Sequence, residues 1–224
     1  MANTKISFKI NSKNYSATTD AKGILTCSQK LATGTYTLKF TNPATKEVES
    51  FIFKVVPRIT GSAMTMYFGA GKYYKVRICN DDGTPAGKNK VVTFKINKKT
   101  VKVKTDKNGY AKLKISQKVG KYTIYATYKG FKLSNKIVVK PVLTAENISK
   151  KKSKKIRFSA KLVNTKGKAL KGKKISFKFK GRIYKIKTNR KGIATLTLKN
   201  LKIGKYTVYS IYGKSKIKNI IRVK

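Results

Sequence analysis

Apolar and polar residues alternate with a period of two along most of this chain. In Val92-Thr93-Phe94-Lys95-Ile96 the apolar Val92, Phe94 and Ile96 fall on one side and Thr93 and Lys95 on the other, as they do when successive side chains leave opposite faces of a strand. Val101 and Val103 alternate with Lys102 and Lys104, and Ala111, Leu113 and Ile115 with Lys112 and Lys114. The scheme returns later, with Ile175, Phe177 and Phe179, then Ala194, Leu196 and Leu198, on the inward side. No stretch carries the 3.6-residue period of a helix, so the pattern predicts an all-β chain of short strands, each buried on one face.

The same pattern occurs three times. Ile6-Ser7-Phe8-Lys9-Ile10-Asn11, Val92-Thr93-Phe94-Lys95-Ile96-Asn97 and Ile175-Ser176-Phe177-Lys178-Phe179-Lys180 align. Each is followed by a turn, at Asp20-Ala21-Lys22-Gly23, Asp106-Lys107-Asn108-Gly109 and Asn189-Arg190-Lys191-Gly192, whose glycine can take positive φ. Then comes Gly34-Thr35-Tyr36-Thr37, Gly120-Lys121-Tyr122-Thr123 or Gly204-Lys205-Tyr206-Thr207, which starts a long strand. Its tyrosine is placed to hydrogen-bond back across a sandwich corner, as in immunoglobulin-type folds. The three phenylalanines lie 86 and 83 residues apart, and so do the turn glycines. That period is too long for a solenoid and fits a small β-sandwich.

Tandem immunoglobulin-like β-sandwiches in a rod-like array follow: an incomplete repeat over 1–58 and complete ones over 59–141 and 142–224. Short boundaries at Pro57-Arg58 and Lys140-Pro141 predict abutting neighbours with limited swivel. The complete repeats open with two further strands, near Thr65–Tyr67 and Tyr73–Cys79, and near Leu143–Ala145 and Lys155–Val163. The first repeat lacks these. It is expected to form a five-stranded remnant with exposed edges and part of its core uncovered, the least stable unit and a route to self-association. A truncated chain, a C-terminal piece of a longer array, or a start codon inside one would account for it; the second is preferred.

Charge changes the picture more than any motif. Lysine and arginine number 55 against 7 acidic residues, a formal net charge of +48. The acids are Asp20, Glu47, Glu49, Asp81, Asp82, Asp106 and Glu146, so charge climbs from +6 over 1–58 to +16 over 59–141 and +26 over 142–224. A genomic bias toward lysine codons explains the lysines but not the missing acids, and the self-repulsion calls for an anionic neighbour or high salt. With no histidine and only Cys27 and Cys79, histidine triads and zinc clusters are excluded. The chain is expected to be no enzyme and to use no metal and no cofactor. Asp81-Asp82-Gly83 and Asp106-Lys107-Asn108-Gly109 are read as turns, since calcium needs six or more oxygens. A Lys–Asn isopeptide bond lacks its carboxylate. The two cysteines sit at non-equivalent places in their repeats and are expected as free thiols.

Lys95, Lys102, Lys104, Lys112 and Lys114 occupy outward positions of consecutive strands in the middle repeat. Lys178, Lys185, Lys187 and Lys199 do so in the third, joined by Lys150, Lys151, Lys152, Lys154 and Lys155. A sheet with lysine at every outward position would be a continuous cationic plate, binding anionic polymers through counterion release. The alternative is a solvated coat guarding strand edges. Lysine outnumbers arginine 49 to 6, which disfavours base-edge readout. Tyr73, Tyr74, Tyr125, Tyr128, Tyr209 and Tyr212 are either packing residues or platforms for nonspecific nucleic-acid binding.

At Phe94-Lys95-Ile96-Asn97, at Thr105-Asp106-Lys107-Asn108-Gly109-Tyr110-Ala111-Lys112-Leu113 and at Gly120-Lys121-Tyr122-Thr123-Ile124, the chain resembles the immunoglobulin-like repeats of adhesin-like surface proteins of methanogenic archaea, which are related in style to bacterial Ig-like tandem repeats. The resemblance covers both complete repeats and the tail of the first, and implies a stalk or adhesive module of a large secreted protein. This chain departs from it in its lysine content and in having no signal peptide; no stretch approaches a membrane span. The expectation is an extracellular, cell-surface module whose lysines bind cell-wall or host glycans that are anionic. A nonspecific intracellular nucleic-acid- or polyanion-binding protein is the alternative.

Overall fold

The structure is a computed structural model describing residues 1–224. Twenty strands and no helix make up the chain, and no helix is therefore long and apolar enough to cross a membrane. The middle unit contains β5 (Ile59–Gly61), β6 (Met64–Tyr67), β7 (Tyr73–Ile78), β8 (Val91–Ile96), β9 (Lys99–Lys104), β10 (Tyr110–Lys114), β11 (Gly120–Tyr128) and β12 (Phe131–Lys140), after the first unit's β1 (Lys5–Ile10), β2 (Lys13–Thr18), β3 (Gly34–Thr41) and β4 (Val48–Val55). The third unit runs β13 (Leu143–Ala145), β14 (Ile148–Lys150), β15 (Lys155–Leu162), β16 (Lys174–Phe179), β17 (Arg182–Lys187), β18 (Ile193–Lys199), β19 (Gly204–Tyr212) and β20 (Ser215–Val223).

The middle and third units share one topology. A three-stranded sheet, β10-β7-β5 or β13-β15-β18, faces a five-stranded sheet, β6-β12-β11-β8-β9 or β14-β20-β19-β16-β17. The opening strand is split: β5 and β13 join the smaller sheet, while β6 and β14 pair parallel with β12 and β20 on the larger. These are tandem immunoglobulin-like β-sandwiches. Each encloses its own core. Phe94 meets Tyr74 edge-on with ring centroids 6.0 Å apart, and Phe177 meets Phe158 at 5.9 Å. All four rings are buried, and full burial of one such side chain stabilises by about 1.5–3 kcal/mol. Burial also pushes the Tyr74 phenol up to about 12, while its hydroxyl donates to Asn135 Oδ1.

The corner tyrosines behave alike in all three units. Tyr36, Tyr122 and Tyr206 donate their hydroxyls to the carbonyls of Ala32, Lys118 and Lys202 at 2.8, 2.9 and 2.8 Å. A threonine just before each turn is buried and bonded. Thr105 Oγ1 donates to the Gly87 carbonyl at 2.6 Å and accepts from Lys90 N–H at 3.0 Å; Thr188 and Thr19 take the equivalent places.

The first unit differs from the five-stranded remnant expected for it. It is a single four-stranded sheet, β2-β1-β3-β4, with no facing layer. Residues 24–28, which correspond to β10 and β18, form no strand beyond the isolated bridge of Leu25 to Thr19. The reason is a missing partner: β10 pairs only with β7 and β18 only with β15, and the first unit has no counterpart of either.

Candidate polyanion-binding faces

Lys95, Lys102, Lys104, Lys112, Lys114, Lys150, Lys151, Lys152, Lys154, Lys155, Lys178, Lys185, Lys187 and Lys199 are all exposed. The structure does not assemble them into one plate. Lys95, Lys102 and Lys104 project from the five-stranded sheet of the middle unit, but Lys112 and Lys114 project from the three-stranded sheet on the opposite side. Consecutive strands here are not neighbours, because the chain crosses from one sheet to the other between β9 and β10. The third unit divides likewise, with Lys178, Lys185 and Lys187 on the larger sheet and Lys155 directly opposite Lys199 on the smaller. Lys150 closes β14, and Lys151, Lys152 and Lys154 lie in the following loop, tied down where Lys152 N–H donates to the Lys224 carbonyl at 2.7 Å.

Nor is every outward position a lysine. On the larger sheet of the middle unit the register sets Lys95 against Thr100 and Tyr125, Lys102 against Thr93, Lys104 against Val91, and Lys136 against Thr123. Cations there alternate with neutral side chains across the strands. The corresponding face of the third unit is denser. Lys185 and Lys187 on β17, Lys174 and Lys178 on β16, Lys205 on β19, and Lys216, Lys218 and Arg222 on β20 share it. Lys174 stands opposite Lys187, and Lys205 opposite Arg222. Like charges directly opposite one another destabilise a sheet. Tyr209 lies at the centre, in register between Lys178 and Lys218, with Lys216 Nζ 4.7 Å from its ring centroid.

No carboxylate lies on this face. Glu146 belongs to the turn between β13 and β14. In the middle unit Asp106 binds one cation of the smaller sheet, Lys112, at 2.8 Å. That hydrogen bond first, then the backbone N–H groups of Tyr110 and Asn108, hold its carboxyl below the usual range. Thr84 does the same for Asp82. Both oxygens of Asp106 are thus engaged within the protein, and Asn189 makes the same backbone contacts without charge. Cys27 and Cys79 are free thiols.

Lys174, Lys205, Lys216, Lys218 and Arg222 were absent from the residues singled out in the sequence. Their signal was present in Ser215–Val223, where Lys216, Lys218 and Arg222 alternate with the inward Ile217, Ile221 and Val223.

No protein-family profile and no curated protein matches the chain. Among solved structures it is similar to the I9–I11 tandem of titin, at 12% identity and TM-score 0.36 over 99% of this chain and 94% of that one. It is also similar to the D0–D1 domain of intimin, at 17% identity and TM-score 0.32 over 74% and 96%. A third is the Ca2+-stabilized adhesin with which an Antarctic bacterium binds ice, at 12% identity and TM-score 0.26 over 100% of this chain and 66% of that one. Likeness at this level carries no activity from those proteins to this chain.

Proposed function

We propose that this chain is a non-catalytic, adhesin-like surface module: a spacer and attachment element whose lysine-rich sheets hold an anionic polymer, cell-wall glycan or host polysaccharide. The observation supporting it is the larger sheet of the third unit, with eight cations, a central tyrosine and no acid. A guard against edge-to-edge pairing needs lysine only on edge strands. Here Lys178 has Ile183 and Tyr209 as partners on either side, and Arg222 has Ser149 and Lys205, so these two cations stand inside the sheet and not at its edge. The mutual repulsion of the cations on this face is offset when a polyanion lies across them and its counterions are released.

Retention of the full chain on isolated cell envelopes and on an acidic polysaccharide matrix, measured across salt, tests this. Binding should fall steeply with salt. A Lys178→Gln, Lys185→Gln, Lys216→Gln, Lys218→Gln variant should bind more weakly, with a salt slope shallower by about 3–4, since each anionic group that a lysine neutralises adds about 0.7–0.9 to the slope. The matched variant of the middle unit, with Lys95, Lys102, Lys132 and Lys136 changed to Gln, should be weakened less. Salt-independent binding, or equal weakening in the two variants, overturns the reading. The placement of Tyr209 between Lys178 and Lys218 supports a second reading, stacking of nucleic-acid bases. Preference for nucleic acid over envelopes would select it.

A further inference from the structure

The outer face of the third unit's larger sheet holds more than cations. Ile183 of β17, Tyr209 and Ile211 of β19, and Ile220 of β20 all point outward, since each alternates with residues that are buried or packed against the core. Ile183 is 60% exposed, and the other three are half-buried. Tyr209 and Ile211 are successive outward residues of one strand, and Ile220, opposite Thr207, is the diagonal neighbour of Tyr209. Ile183 stands on the far side of Lys178 from Tyr209. In the middle unit the matching places around Tyr125 hold Thr100, Thr127 and Lys136. Its own outward valines, Val91 and Val138, lie toward the ends of β8 and β12, and the third unit has Lys174 and Arg222 there. The third unit therefore gathers its apolar side chains at the centre of the face and sets cations around them. Neither counterion release nor the protection of strand edges calls for that exchange.

We infer that this face takes an acidic polysaccharide whose sugar rings themselves carry carboxylate or sulfate groups; the inference rests on the polyanion-binding reading above and names the polymer. A pyranose ring presents C–H groups on its face and its acid at its rim. Set on Tyr209, with Ile211 and Ile220 beside it, such a ring has Lys178 on one side and Lys218 on the other, each one strand spacing of about 4.8 Å away. Lys216 Nζ lies 4.7 Å from the Tyr209 ring centroid, and an acid group that draws it aside frees the ring face. A phosphate chain without rings gains nothing from the isoleucines. Single-stranded nucleic acid stacks successive bases on successive aromatic side chains, and Tyr209 is the one aromatic residue directed out of this face. Apolar side chains that hold a bilayer sink about 5–10 Å into it, whereas these isoleucines stand among lysines that reach further from the sheet.

Binding of the full chain to polygalacturonate, dextran sulfate, inorganic polyphosphate, poly(dT) and phosphatidylglycerol vesicles, each across salt, tests this. Tyr209→Ala should weaken binding to the two sugar polymers about tenfold, as truncating an aromatic anchor does, and Ile211→Thr about threefold. Neither removes a charge, so the salt slope should stay the same. Tyr209→Phe should bind as the unchanged chain does. Polyphosphate binding should be unaltered in all three variants, which also reports that they fold. Steep salt dependence on both sugar polymers with no effect of Tyr209→Ala on either overturns this inference and leaves the polyanion reading standing; salt-independent binding by the unchanged chain ends both. Equal loss on polyphosphate, or tighter Tyr209-dependent binding to poly(dT) or to the vesicles, overturns it as well.

Discussion

Asp106 and Asn189 occupy the same turn and make the same two backbone contacts, accepting from Asn108 and Tyr110 in one case and from Lys191 and Ile193 in the other. Only Asp106 has a second oxygen for Lys112. Its carboxyl is held low by that bond, so its contribution to stability is complete above the unfolded carboxylate value near pH 4. That contribution is lost as pH falls from there through the lower folded value. Denaturation melts of the full chain between pH 5 and 2 should therefore show an acid-sensitive transition for the middle unit that Asp106→Asn weakens, leaving the part that Asp82 contributes. With seven carboxylates in the chain, few other groups titrate there. The glycines offer a second contrast. Gly109 and Gly130 both have positive φ, 74° and 83°, but a Cβ at Gly109 would strike the Ile78 carbonyl whereas one at Gly130 meets open space. Gly130→Ala should lose about 1–2 kcal/mol, from left-handed backbone strain alone. Gly109→Ala should lose clearly more in urea denaturation of the same transition.

Within the strands, the alternation of apolar and lysine residues sets which face is buried, and pairing sets which lysines meet. Lys174 and Lys187 are direct cross-strand neighbours. Lys187→Glu should stabilise the third unit by about 0.2–1 kcal/mol, and the gain should shrink between low and high salt in thermal melts. Inward positions such as Val92, Phe94 and Phe177 were legible because period-two alternation is a local property, and all three are fully buried. Sheet membership was not legible in the same way. Nothing local to Lys104 and Lys112 says that the chain changes sheets between them, so residues read as one plate belong to two. Asn135 is a case of another kind. It interrupts an inward apolar series, and only the structure shows it accepting the buried Tyr74 phenol; with Phe158 in that place, Asn219 instead donates to the Ala145 carbonyl at 3.1 Å.

At the level of the molecule, net charge and structural completeness run together. The unit with the lowest net charge is also the one with a single sheet, and it exposes Ile24, Val48, Phe51 and Ile52. Local opening free energy follows the burial of apolar side chains, so amides of β1–β4 should exchange with solvent before those of β8, β11, β16 and β19, each of which lies in a sheet facing a second layer. Hydrogen exchange followed by mass spectrometry reads that order directly. The corner bond of Tyr36 to Ala32 nonetheless forms at the same length as that of Tyr206 to Lys202, without a second layer behind it. The later half of each repeat, two hairpins and a corner, therefore takes its shape without the opening strands, whereas β6 and β14 find their partners, β12 and β20, only 73 residues further along the chain. On a ribosome β6 and β14 emerge early and must wait, unpaired, until β12 and β20 have been made.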